Sequence, residues 1–399
     1  MPTHVGIGKS NNRSAFKAGE AAATVALEKM GQAMPHFVFL FTTTGYNQEE
    51  LLQGVRSIIK ACPLSGCSAE GIITSDGSDE GSHAVSVTAI WSDTISFQPI
   101  LVEGVSRNIE SVAMRLFQKC TEGMADARLL MLLPDGLTTN CTHLLSALDA
   151  VGFPSTVSVV GGAAGDMLQF NRTYQYHQGG VYSDSLSAVL IGGKCTAEIE
   201  VSHGCTPVGI AHKITQSNGG NVQQMDNRPI WDIFKQYLGK TTDNFDAYDL
   251  RYLYLGEILP EKNRPEKNSY IIRVPLKLDK EKGSMFFPGD LVQGGHVQLM
   301  RQDAQIVEAA ALSCAQKIVS RRPGQDPAIV FQFDCAGRGR LLMGEQTTEA
   351  LVEPLQRAFP GKPPWVGFHS YGEIAPVQNK NLFHNATVVL CSLYEQISP

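Results

Sequence analysis

Three short apolar runs recur along the chain: FVFLFTT (37–43), LLMLLPD (129–135) and AIVFQFDC (328–335). Runs of this length, rich in Phe, Val, Leu and Ile, predict strands buried on both faces. Each is followed by a segment with helical spacing. NQEELLQGVRSIIKAC places Leu51, Leu52, Val55, Ile58 and Ile59 on one face, and NCTHLLSALDAVG does the same with Leu144, Leu145 and Leu148 before ending at Gly152. TTEALVEPLQRAFPG carries Leu351, Leu355 and Phe359, and Pro354 within it predicts a kink or break. Each helix leads to a glycine turn: PLSGCSAEGII (63–73), VSVVGGAAGDM (157–167) and PWVGFHSYGEI (364–374). Further strand candidates follow at 82–91, 185–193 and 384–395. The unit reads β-α-β-turn-β. Two more helical patterns, at 14–31 and 303–319, precede the first and third copies and suggest duplicated halves.

The fold class expected is therefore α/β, with mixed sheets covered by helices and built from repeated units. The stretch 194–300 breaks the pattern with strands, a hairpin signal at NGGN and a short helix at RPIWDIFKQYLG. LPEKNRPEKNSY (259–270) reads as an exposed loop. The domain boundary is placed in 240–268, giving domains 1–240 and 241–399.

Composition narrows the function classes. Apolar residues make up 43% and charged residues 18%, which suits a large packed interior. A net charge of −6 and a pI of about 5.9 argue against nucleic acid. The nine cysteines are scattered, with no CxxC pair, and fit reduced thiols in a cytoplasmic protein. The N-terminus lacks an apolar signal core, and no apolar stretch is long enough to span a membrane.

Candidate chemistry gathers late in the chain. In FDCAGRGRLLMGE, Cys335 ends a strand and Arg338 and Arg340 follow, a setting that lowers a thiol pKa and predicts a reactive thiol. The third turn brings His369, Tyr371 and Glu373 within a few residues, with Glu373 expected at a pocket rim or paired with Arg338 or Arg340. The second turn is all small residues, so a cavity roofed by the third turn and floored by the second is expected. Three equivalent turns are also what purely structural strand ends would give.

The motifs GCSAEGI, VGGAAGD, GCTPVGIAHKIT, FDCAGRGR and GFHSYGEI occur in the order seen in FIST proteins, which the chain resembles over roughly 30–395. The acid of the first motif is displaced to Glu70 relative to many members. The resemblance implies an N-terminal and a C-terminal FIST half. It also implies a sensory protein acting through a partner histidine kinase or other signalling protein, with homodimerisation left open. Stand-alone members include haem-binding nitric-oxide sensors, so haem is an expected cofactor. His384 and His369 are then the axial candidates, with His296 next and Tyr371, Glu373, Cys335 and Arg338 around them. Two alternatives stay open: a haem-free sensor of a small organic ligand such as an amino acid, with Arg338 holding a carboxylate, and an enzyme using Cys335 or Cys67 as nucleophile.

Overall fold

The computed structural model describes residues 3–32, 34–121, 125–239, 253–259, 270–378 and 380–396. The first unit runs β1 (His4–Ser10), α1 (Ala15–Met30), β2 (Phe37–Thr42), α2 (Gln48–Ile59) and β3 (Leu64–Ser68), then a hairpin of β4 (Gly71–Thr74) and β5 (Gly77–Asp79), and closes with β6 (Val85–Trp91). The second repeats that order with β7 (Ile95–Glu103), α3 (Ile109–Thr121), β8 (Ala127–Pro134), α4 (Cys141–Ala150), β9 (Ser158–Gly162), the hairpin β10 (Gln175–His177) and β11 (Gly180–Tyr182), and β12 (Ser185–Gly193).

The third unit opens with β13 (Cys195–Ser202) and is then interrupted by an inserted sheet. The insert comprises β14 (Cys205–Asn218), β15 (Asn221–Met225), β16 (Arg228–Pro229), α5 (Ile230–Leu238), β17 (Leu253–Ile258), β18 (Tyr270–Arg273), β19 (Lys277–Asp279), β20 (Ser284–Phe286) and β21 (His296–Gln302). The unit resumes with α6 (Ala304–Arg321), β22 (Ile329–Cys335), an irregular helical stretch ending in α7 (Glu353–Arg357), β23 (Trp365–Ser370), the hairpin β24 (Glu373–Val377) and β25 (Lys380–His384), and β26 (Val388–Glu395).

The three apolar runs are buried strands, each leading through a helix to its glycine turn as the pattern predicts. The repeat is threefold rather than a duplication of halves, because α3 supplies the leading helix of the second unit. The expected boundary window at 240–268 lies outside the described residues, apart from 253–259. The third helix departs from expectation. Residues 339–352 form π-helical turns around a short 3-10 turn, and Pro354 sits in the first turn of α7, where its missing N–H costs nothing.

Each unit keeps its first, second, third and closing strands in one six-stranded sheet and gives its hairpin to another. The sheets are ordered β1-β6-β2-β3-β10-β11, β7-β12-β8-β9-β24-β25 and β13-β26-β22-β23-β4-β5. Thus β4 pairs with β23, β24 with β9 and β10 with β3, and the exchange closes into a ring.

Side-chain alternation makes the sheets two-sided. Phe37, Phe39, Phe41, Leu129, Met131, Leu133, Ile329, Phe331 and Phe333 meet in one core shared by all three sheets. The intervening Val38 and Leu40, Leu130 and Leu132, and Val330 pack outward under the helices of their own units. One glycine per unit lets the parallel strands approach. Gly66, Gly161 and Gly367 face Leu40, Leu132 and Gln332, and an added Cβ would stand 1.8, 1.9 and 1.7 Å from those carbonyl oxygens. We expect Gly367→Ala and Gly66→Ala to destabilise by about 1–3 kcal/mol or more in urea unfolding. Gly179→Ala, with nothing near its Cβ position, should stay within about 0.5 kcal/mol. Equal tolerance at all three sites would contradict the close-approach account.

Candidate functional site

The three glycine turns converge, as strand ends at one edge of a sheet do. Gly165 N–H donates to the Ser68 carbonyl (3.1 Å), Glu70 N–H to that of His369 (2.9 Å), and Tyr371 N–H to that of Ala163 (3.0 Å). One acid or phenol from each turn meets there. Tyr371 Oη donates to Asp166 Oδ1 at 2.6 Å, and Leu168 N–H donates to Glu70 Oε2 at 3.0 Å and to Tyr371 Oη at 2.7 Å. Burial pushes the Glu70 carboxyl up to about 7, against the pull of those two donors, with Asp166 adding like-charge repulsion.

No cavity separates the second and third turns at Gly162. A Cβ there would stand 3.0 Å from the side chains of both Phe368 and Ser370, so the larger residues of the third turn fill the room left by the small ones of the second. Glu373 is fully buried and lies at no rim. Its carboxyl accepts from Ser370 Oγ (2.7 Å), Thr387 Oγ1 (2.7 Å) and Thr387 N–H (3.2 Å), rather than from an arginine.

Burial pushes Glu373 up to about 8, with Asp334 contributing. A group whose native pKa is raised stabilises the fold fully below its unfolded value of 4.5 and loses that contribution as pH rises towards 8. Wild-type stability should therefore fall by about 1 kcal/mol per pH unit per such group across this window. Glu373→Gln should flatten part of the decline, leaving the share due to Glu70. Parallel stability-versus-pH curves from urea melts at pH 5 to 8 would show that the carboxyl is not buried in neutral form.

The arginines lie elsewhere. Arg338 is fully buried, with Nε donating to Asp334 Oδ1 at 2.7 Å and Nη1 to the carbonyls of His203 (3.0 Å) and Ser202 (3.4 Å). Arg340 is exposed and pairs with Glu345. Cys335 is thus not activated: burial, with Glu373 adding, holds its thiol well above the ordinary range. All nine cysteines are buried and free, and Cys67 is raised by burial in the same way.

The histidines are dispersed. His369 is fully buried, with Nε2 2.9 Å from Ser78 Oγ. His384 is buried with Nε2 3.3 Å from the Ala375 carbonyl, and burial pushes it down to about 3. His296 is exposed at the start of β21, away from both. The sequence correctly joins Cys335, Glu373 and Tyr371 around the third turn, but these residues knit strand ends together.

A cleft of about 610 Å³ lies between α4, the hairpin β24–β25 and the inserted sheet. It takes Thr142 and Asp149 from α4, Glu257 and Arg273 from β17 and β18, Asp290 from the insert, and Lys380 and Phe383 from β25. None of the residues expected at the ligand lines it. The one sign of it in the sequence is Arg273, a lone cation in the apolar strand YIIRV.

Residues 36–228 match the FIST N domain and 231–376 the FIST C domain. The chain belongs to the FIST family, whose domains mark a sensory, ligand-binding protein. An uncharacterised protein of Mycobacterium tuberculosis (strain CDC 1551 / Oshkosh) is 26% identical over 390 residues, covering 96% of this chain and 97% of that one. An uncharacterised protein of Methanocaldococcus jannaschii is 24% identical over 321 residues, covering 75% and 60%. Among solved structures, a chorismatase aligns over 98% of both chains with 10% identity and a TM-score of 0.35, too low to carry an argument. The same holds for Thermotoga maritima PurL, with 9% identity, coverage of 98% of this chain and 72% of that one, and a TM-score of 0.25.

Haem needs an axial side chain facing an apolar slot. His384 and His369 are enclosed by protein and bonded to Ala375 and Ser78, and neither lines the cleft. The cleft's described lining holds no His, Cys, Met or Tyr and carries five charged side chains. The described residues therefore do not fit the group. Among them, no helix is long and apolar enough to cross a membrane.

Proposed function

We propose that this FIST protein is a haem-free sensor of a small polar organic ligand, bound in the cleft between α4, the third hairpin and the insert. The observation that carries the reading is the cleft itself. Its volume of about 610 Å³ suits a small molecule, and it combines apolar walls with a few convergent charges from both matched halves. Occupancy would be passed to a partner signalling protein, such as a histidine kinase.

The protein is not an enzyme in this reading. A nucleophilic cysteine needs a thiolate, and burial holds the Cys335 and Cys67 thiols protonated. Ser78 and His369 lie within hydrogen-bond reach, but His369 Nδ1 has no partner to orient the ring as a base.

The competing reading, a haem-based nitric-oxide sensor with His384 or His369 as axial ligand, is decided by a hemin titration followed in the visible spectrum. We expect the Soret band to stay that of free hemin. A shifted, saturable band that is lost in His384→Ala or His369→Ala would replace our reading with the haem one.

A further inference from the structure

We propose that the cleft binds a small zwitterion with an apolar body, its carboxylate on Arg273 and Thr142 and its cationic group towards Asp290 and Asp149. The proposal rests on reading the cleft as the ligand site.

Arg273 is 2% exposed and lines the cleft. Its Nη1 donates to the Phe383 carbonyl at 2.7 Å and its Nη2 reaches Glu257 only at 3.3 Å, while Nε has no partner. The Thr142 hydroxyl, also buried at the cleft, has none either. The two groups are neighbours across Gly289, where a Cβ would stand 3.0 Å from Thr142 Oγ1 and 3.1 Å from the Arg273 guanidinium carbon. A buried guanidinium N–H and a hydroxyl, side by side and unsatisfied, are costly unless something completes them. A carboxylate does so with charge-assisted hydrogen bonds.

The remaining charges restrict which carboxylate fits. Asp149, Glu257 and Asp290 oppose Arg273 and Lys380, so the lining is already net negative. A dianion or phosphate would face like-charge repulsion that a ligand carrying its own cation avoids. Asp290 is held in place by Asn140 Nδ2 at 2.9 Å, ready to receive that cation. Leu145, Leu259, Ile271 and Leu382 supply an apolar wall, and the volume leaves room for several carbons beyond the charged ends.

Calorimetric titration of the full chain with L-leucine, isocaproate, which lacks the ammonium group, and isoamylamine, which lacks the carboxylate, tests this. We expect L-leucine to bind at least about tenfold more tightly than either fragment. Arg273→Lys should weaken it by a similar factor. Thr142→Val, which removes only the hydroxyl, should weaken it several-fold with an unchanged melting temperature. Ser146→Trp, at an exposed lining position on α4, should block the cleft without disturbing the buried groups. Isocaproate binding as tightly as L-leucine, with Ser146→Trp still blocking it, overturns the zwitterion while leaving the cleft as the ligand site. No binding of any probe overturns the inference, and saturable hemin binding in addition overturns the sensor reading on which it rests.

Discussion

Replacing Arg338 by alanine is expected to cost about 3–5 kcal/mol of stability in urea unfolding, the range for stripping one partner from a buried ion pair. Both side chains of the Arg338–Asp334 pair are 0% exposed. The substitution would leave the Asp334 carboxylate with only the Gln332 amide at 3.0 Å, and would remove the donor to the His203 and Ser202 carbonyls. Removing both charges in an Asp334→Ala, Arg338→Met double variant should recover part of the loss, because the uncompensated charge goes with it. A single-variant loss below about 1 kcal/mol would place the pair in contact with water. L-leucine affinity should be unchanged in any Arg338 variant that folds, since Arg338 does not line the cleft.

Phe331→Ala should cost a comparable amount, about 3–5 kcal/mol. Phe331 is fully buried in the shared core and meets Phe39 of the first unit edge-on, with ring centroids 5.2 Å apart. Truncation opens a void where sheets of two units touch, and neither can close it without moving the other. Phe16→Ala is the control: that ring is 39% exposed, and its loss should stay near 0.5 kcal/mol. Similar losses from both variants would deny that the sheets share one core.

What was legible in the sequence is what local spacing encodes. The apolar runs at 37–43, 129–135 and 328–335 declare buried strands, and the stripes after the first two declare helices. Gly152 ends α4 at a φ of 81°, as a helix-terminating glycine does. The leading strands are harder to see. β7 is half exposed, alternates irregularly and contains Pro99, so no clean period-two signal survives. In α3 the stripe Ile109, Val112, Ala113, Leu116 and Cys120 does carry helical spacing, and attention to it would have revealed the third leading helix. The hairpin exchange leaves no local trace, because alternation in β4 or β24 is the same whichever sheet it joins. The cleft was hidden for a related reason. Thr142, Arg273, Asp290 and Lys380 come from four distant segments, and only Arg273 looks out of place where it stands.

The exchanged hairpins also set an order on synthesis. Emerging from the ribosome, the first sheet has all its strands once Tyr182 is made. The second lacks β24 and β25 until His384, although its own strands end at Gly193. The first unit's hairpin, finished by Asp79, has no sheet to join until β23 appears at Trp365. Nearly three hundred residues of translation separate that hairpin from its partner, on the order of tens of seconds at ordinary elongation rates. Through that interval the nascent chain carries open strand edges, and a chaperone that shields them would be expected to raise the yield of native protein more than one that acts after release.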